Sequence, residues 1–426
     1  MREQEKVFKD PVHGYIYVHD PLIWDLINTR EMQRLRRIRQ LGTAYLTYPG
    51  GEHSRFAHSL GVYEVIRQVI SHFERNGYGW PAEDRRLAYA AGLLHDIGHA
   101  PFSHALESVL LTQHEQWSEQ IIRHPETEVH QVLADVAPDF PALVSDVIGK
   151  RYPGRIIVSL VSSQLDGDRL DYLMRDAVMT GVDYGRFDLP RIVRILVPKH
   201  DRLVARQSGQ HTVEAYLLAR YFMYWQVYFH PVCRAAEVLL RNLLERAKHL
   251  VRCGEREISP FSALNRLLAG GYGVADYLAV DDSLLLAAMH SWRDHPDGVL
   301  ADLSRRLIDR HLPKYFELQA PLSQDRLSAV VDLVRTAGFD PAYYCTVDEI
   351  GTVYYDYYLG AQTGTHGDGL FLWDETSGAL TEMSQVSEPI RAMAQETKRK
   401  VRRIYLPEEV AGDPRLSLQL NRWIRP

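Results

Sequence analysis

The sequence predicts a mainly α-helical protein with small β-hairpins in its first half and a mostly helical C-terminal region carrying a few strands. Three observations predict it. Apolar residues recur at helical spacing after Ser54, with Val62, Val65, Ile66, Val69, Ile70 and Phe73 following the i, i+3, i+4, i+7 rule. The stretch "LAYAAGLL" is almost wholly apolar, and Gly98 and Pro101 stop the helix that carries it. Strand-like alternation occurs only in short runs.

Taken in order, "KVFKDPVHGYIYV" alternates around a Pro and a Gly and predicts a short hairpin. "DPLIWDLINTREMQRLRRIRQLG" opens on an Asp-Pro start signal, sets Leu22, Leu26 and Ile27 on one face and ends at Gly42, which predicts one or two helices. A helix starting near Ser54 puts Arg55 and His58 on one face of its first turn. Residues 83–97 predict a second helix, capped by His95 and Asp96. Residues 114–150 predict helices in pieces. "IIVSLVSSQLDGDRLDYLMRDAVMTG" predicts another helix, with Asp168, Tyr172 and Asp176 at i, i+4 and i+8 on one face. "IVRILVPKHDRLVARQSGQHTV" predicts a small hairpin, and Val213 to about Arg252 a long helix kinked or broken near Pro231. The remainder predicts helices to residue 336, strand-like "TVYYDYYLG" and "GLFLW", and a basic helix over "AMAQETKRKVRRIYL". A boundary is expected near residue 250, separating a core at 1–250 from a C-terminal region at 251–426.

With 46% hydrophobic and 24% charged residues, the 426-residue chain reads as folded throughout. A net charge of -6 argues against general adhesion to nucleic acid or anionic membrane. Cys233, Cys253 and Cys345 have no CxxC spacing, which points to a reducing cytoplasm rather than a disulfide framework. No secretory h-region or long apolar run is present, so neither secretion nor membrane spanning is expected.

Histidine is the outlier, since eleven of the nineteen lie in the first 130 residues. His95-Asp96 at one helix end, His58 from the preceding helix and Asp168 from a later one make a candidate ligand set. Imidazole plus carboxylate suits Fe, Mn, Co, Ni or Zn, with positions left for water and a substrate oxygen. A solitary His-Asp pair is ordinarily a satisfied core histidine beside a solvated aspartate. Here His99, His104, His114 and Arg55 stand close by in sequence, and so many ionisable groups beside buried helices require pairing or a metal.

His58, His95-Asp96 and Asp168 spell the H…HD…D signature of the HD-domain phosphohydrolases. Together with "QLGTAYLTYPGGEHSRFAHSLGV", "AGLLHDIGHAPFSHALE", "LDGDRLDYLMRDAVMTG" and "YFHP", the chain resembles the deoxynucleotide triphosphohydrolases, in a bacterial branch related to the vertebrate enzyme with SAM and HD domains. The motifs span roughly residues 6 to 240. The resemblance implies an HD-type helical core at 1–250 with an N-terminal regulatory segment, metal binding by His58, His95, Asp96 and Asp168, and a catalytic group of His99, His104, Glu107 and His114. Glu107 stands where relatives often have Asp. The resemblance also implies a triphosphate grip by Arg55, Arg169, Tyr172 and Arg220, with Mg on the triphosphate. Gln40, Leu41 and Asp176 would hold the 3′-hydroxyl and Tyr228 would face the sugar. It further implies a homotetramer around regulatory nucleotides, through Val7, Asn28, Gln33 and Arg36, with Arg191 and Arg206 at a second triphosphate. Asn28 cannot offer a guanine edge the two acceptors of a carboxylate. Rival readings are an HD hydrolase of a monophosphate, cyclic dinucleotide or alarmone, and a nucleotide-responsive nucleic-acid-binding scaffold, which is not favoured. No membrane partner is expected.

Overall fold

A computed structural model describes residues 5–255, 257–351, 369–396 and 400–420. Strands β1 (Lys6–Asp10) and β2 (Gly14–Val18) form the expected antiparallel hairpin, with Lys6 opposite Val18. Asp10 closes its turn by accepting the backbone N–H of Val12 and of His13, each at 2.9 Å. Asp20 caps α1 (Pro21–Asn28), which buries Leu22, Ile23, Leu26 and Ile27. Thr29 caps α2 (Arg30–Arg34), and a single 3₁₀ turn follows. The expected run to Gly42 thus stops at Arg37. Extended backbone wins from Ile38 because Arg39 bridges Ser54 and the Gln40 N–H donates to the His53 carbonyl at 2.9 Å.

Ser54 caps α3 (Arg55–Arg75), a deeply buried helix, which packs against α4 (Ala82–Leu94) and against the later helix Gly167–Thr180. α4 ends three residues before the expected 97. Past it, the His95 carbonyl accepts the Ser118 hydroxyl at 2.8 Å and Ser118 Oγ accepts the Gly98 N–H at 3.0 Å. A Cβ on Gly98 would fall 2.2 Å from the Ser118 nitrogen, so only glycine lets this turn approach the neighbouring helix. Next come α5 (His104–Leu110), α6 (His114–Arg123), α7 (Glu128–Ala134), α8 (Phe140–Ile148) and α9 (Arg155–Val161). The single helix expected from Ile156 is broken before α10 (Gly167–Thr180), because Asp166 accepts the N–H groups of Ser163 and Arg169, both at 2.7 Å, and starts a new helix.

The β-branched run after Leu189 begins as helix α11 (Leu189–Ile195) rather than strand, since Asp188 caps it and Pro190 sits in its first turn. The expected hairpin is confined to β3 (Leu196–Lys199) and β4 (Arg202–Arg206). α12 (Gln210–Met223) runs through a π-type turn at Tyr224–Tyr228 into α13 (Pro231–Arg252), with the break before Pro231 as expected.

Beyond residue 252, helices Ser262–Ala269, Val274–Leu278, Asp282–Trp292, Gly298–Ile308 and Gln324–Thr336 predominate. Two corrections arise. Lys314–Leu318 is a strand within the stretch expected to be helical, and of the expected basic helix Glu388–Glu396 is helical while Val401–Leu406 is the central strand of a three-stranded antiparallel sheet. Neighbours on both sides, Lys314–Leu318 and Thr346–Ile350, satisfy its backbone and override its helical charge pattern. Phe371–Trp373, within "GLFLW", adds in parallel to β4; "TVYYDYYLG" lies outside the described residues. The main core runs from Ile16 to Leu420, beside a small second cluster of Ala235, Val238 and Tyr405. Among the described residues no helix is long and apolar enough to cross a membrane.

Candidate active site

The start of α3, the end of α4 and the start of α10 converge, and each delivers a ligand-type side chain. Asp168 Oδ1 lies 3.1 Å from His58 Nε2 and 3.6 Å from His95 Nε2. Asp96 Oδ1 lies 3.2 Å from both His95 Nε2 and His99 Nε2, and Asp96 Oδ2 lies 3.8 Å from His58 Nε2 and pairs with Arg55. His95 Nδ1 donates to the Gly92 carbonyl at 2.8 Å, because a carbonyl only accepts. In the neutral ring its Nε2 carries the lone pair. That atom is buried, has no hydrogen-bond partner and faces carboxylate oxygens. A lone pair set against carboxylates needs a cation between them, so the residues fit a divalent metal.

Electrostatics agree. Burial pushes the His58 imidazole down, but hydrogen bonds to Asp168 and Asp171 more than reverse it and lift it to about 10. Burial pushes Asp168 up, and His58 and His95 overcome this and hold it below its ordinary value. His99 is driven down to about 4 by burial and the Arg55 charge. Burial lowers His114, and its hydrogen bond to Glu107 more than compensates and raises it. His99 and His114 stack at 3.7 Å, and Glu107 spans both, at 3.2 Å from His99 Nδ1 and 3.3 Å from His114 Nδ1. His104 opens α5; its side chain lies outside the described residues.

A pocket of about 400 Å³ adjoins the cluster and is lined by Gln40, Leu41, Arg55, Tyr172, Asp176 and Tyr228 among others. Asp176 accepts the Tyr228 hydroxyl at 2.7 Å and lies 2.8 Å from His53 Nε2. Arg55 donates to Ser103 Oγ at 2.9 Å. Arg169 and Arg220 do not line the pocket: Arg169 donates to Asp166 at 2.6 Å and Arg220 to Gln164 at 2.9 Å. The residues expected at a regulatory site stand apart from it. Val7 is exposed on β1, Asn28 donates to the Trp24 carbonyl, and Arg36 donates to Gln33 Oε1 at 2.8 Å while lying over Phe56. Arg191 donates to the Ser208 carbonyl, and Arg206 pairs with Glu375.

Sequence reasoning missed the layer behind His58. Asp171 Oδ2 lies 2.8 Å from His58 Nδ1, and its Oδ1 lies 2.7 Å from His13 Nε2. Arg175 donates to both oxygens, at 2.8 and 2.9 Å, and on to Asp10 at 2.7 Å. Asp171 and Arg175 are wholly buried. A carboxylate behind a ligating imidazole fixes its tautomer and raises its basicity. The available signal was Asp171 one turn after Asp168, with Arg175 four residues on.

Comparison with known proteins adds to this geometry. The family model for the HD domain matches residues 55–136, and that for an HD-associated region matches residues 187–260. The chain is 44% identical over 411 residues to the Bacillus subtilis protein YwfO, covering 96% of this chain and 94% of that one. It is 25% identical over 367 residues to human deoxynucleoside triphosphate triphosphohydrolase SAMHD1, covering 76% of this chain and 56% of the human protein. A crystal structure of a phosphohydrolase from Bacteroides thetaiotaomicron matches with a TM-score of 0.81 at 31% identity, over 95% of this chain and 99% of that one.

Proposed function

Because this chain belongs to the HD-domain family and is a metal-dependent phosphohydrolase, we propose that it hydrolyses deoxynucleoside triphosphates to deoxynucleoside and intact triphosphate. One observation carries the reading: His58, His95 and Asp168 converge within reach of one cation, and Asp168 and Asp96 also line a pocket whose wall holds the Asp176–Tyr228 pair. The names of the human, chicken and Dictyostelium relatives support it.

A divalent metal held by His58, His95, Asp96 and Asp168, from the set Fe, Mn, Co, Ni or Zn, would supply a Lewis acid and a water of lowered pKa. Arg55 offers charge-assisted donors to a phosphate oxygen. Asp176 accepts a sugar hydroxyl, and the Tyr228 ring walls the C2′ side. The water oxygen bonds to the α-phosphorus, the bond from phosphorus to O5′ breaks, and O5′ takes a proton from His104. Glu107, His99 and His114 form the imidazole–carboxylate cluster into which the water's own proton passes and from which His104 is reloaded. Arg169 and Arg220 complete the triphosphate grip, with Mg on the phosphates, by exchanging Asp166 and Gln164 for substrate. Val7, Asn28, Gln33 and Arg36 take a regulatory deoxynucleotide at a subunit contact of a homotetramer, and Arg191 and Arg206 a second triphosphate.

The present engagement of Arg169 and Arg220 favours a second reading, a nucleotide without a triphosphate chain. Chromatography of a nucleotide panel after incubation with metal-loaded protein separates the two. Deoxynucleoside plus triphosphate is expected. Turnover confined to monophosphates, cyclic dinucleotides or alarmones would replace the first reading with the second.

A further inference from the structure

The region after residue 260 reaches the active site without lending it a side chain. Tyr277, stacked on Trp117 at 3.9 Å, donates its hydroxyl to the Gly98 carbonyl at 2.6 Å. Arg34, wholly buried, donates to the Val280 carbonyl at 2.9 and 3.1 Å and to the His99 carbonyl at 3.0 Å, so one guanidinium joins two backbones. Asp282, 2% exposed, accepts the Phe102 N–H on Oδ1 at 3.0 Å and the Arg39 N–H on Oδ2 at 2.9 Å. The loop so held is strained: Phe102 and Ser103 have φ of +50° and +38°, a region that non-glycine residues occupy only when the surroundings impose it. It carries His99 and also Ser103, the partner of Arg55. Arg39, the other tethered residue, precedes Gln40 and Leu41 in the pocket wall.

We infer that Tyr277–Asp282 is a positioning bracket, with Asp282 as its clamp, that fixes the Gly98–Ser103 loop and the Arg39–Leu41 wall against each other. It sets turnover rather than metal binding, because His58, His95 and Asp168 stand outside the loop it holds. The inference rests on the phosphohydrolase reading of the pocket but not on the identity of the substrate.

The test uses the full chain with Asp282→Asn, which keeps one acceptor and so loses one of the two N–H bonds, and Tyr277→Phe, which removes only a hydroxyl. Hydrogen exchange, bound metal per chain and kcat with KM for bis(p-nitrophenyl) phosphate and dGTP are measured. In Tyr277→Phe exchange at residues 98–103 rises at least about tenfold, and in Asp282→Asn it rises as much at 98–103 or at 39–41, whichever N–H loses its acceptor, while α3, α4 and α10 keep their protection. Bound metal is unchanged and kcat falls about ten- to hundredfold, the size expected of a slightly misplaced catalytic group. Unchanged loop exchange in Tyr277→Phe, or protection lost equally through α3 and α10, overturns the bracket; so does metal lost in step with activity. A wild-type chain that turns over neither compound removes the phosphohydrolase reading, and the exchange pattern still decides the bracket.

Discussion

Replacing Asp171 by asparagine isolates the support behind His58. The carboxylate takes four hydrogen bonds, from His58 and Arg175 Nε on Oδ2 and from His13 and the Arg175 Nη2 on Oδ1. A carboxamide keeps one oxygen, so two bonds survive and its NH₂ faces two donors whichever way it turns. Losing two bonds to charged groups, at about 1.5–3 kcal/mol each, amounts to roughly 3–6 kcal/mol. Arg175 retains Asp10, which places the loss toward the lower end, near the 3–5 kcal/mol typical of a broken buried pair. That leaves a folded protein out of a usual 5–15 kcal/mol. Metal affinity should fall about ten- to hundredfold, or roughly 1.4–2.8 kcal/mol, the usual consequence of removing a partner behind a ligating imidazole. Competition against a fluorescent chelator reads the affinity, and circular dichroism with denaturant titration reads the fold. A folded Asp171→Asn protein that binds metal within twofold of wild type would refute the reasoning.

Three further outcomes are expected. Gly61→Ala sets a Cβ 1.8 Å from Asp171 Oδ1, so it should lower both melting temperature, by several degrees, and metal affinity; a variant that matches wild type in both contradicts the close packing of α3 on α10. Arg246 donates to Asp297 at 3.0 Å and holds that carboxyl below its ordinary value. The pair stabilises by about 1 kcal/mol above the unfolded carboxyl's pKa and loses this as pH falls through the depressed folded value, so Arg246→Met should be less stable at pH 7 and level with wild type once pH lies below that folded value. A gap that persists in acid counts against it. On the proposed reading, Tyr228→Ala should narrow the ratio of kcat/KM for dGTP over GTP by about tenfold, and an unchanged ratio makes Tyr228 a packing residue.

The local signals were readable wherever a segment's own chemistry decides its structure. Ser54 caps α3 where the apolar period begins, and Pro231 breaks the long helix where a missing N–H demands it. His58, His95, Asp96 and Asp168 stood out because charge is conspicuous beside apolar helix. Asp171 and Arg175 did not, since on an amphipathic helix they look like solvated charges until His13, 158 residues from Asp171 in sequence, and Asp10 arrive from the hairpin. The strand Val401–Leu406 was hidden in the same way: "KRKVRRIYL" has the composition of a basic helix, and only pairing with strands 50 to 90 residues upstream makes it extended. Asp282 gave no signal, because its work is done on backbone N–H groups, which every residue but proline carries.

The hairpin at residues 6–18 and the segment at 277–282 lie on either side of the segment that the HD family model covers, yet both grip it, through the Tyr63 hydroxyl on the Tyr17 carbonyl and the Tyr277 hydroxyl on the Gly98 carbonyl. That segment is therefore not a transplantable cassette. Cut out at residues 55–136 it would carry three of the four signature side chains, but without Asp168, without the carboxylate that orients His58 and without the clamp on its strained loop. Grafting or minimising this site means carrying the hairpin, α10 and the 277–282 turn together, and variation observed in any of them in related proteins is to be read as variation in the active site.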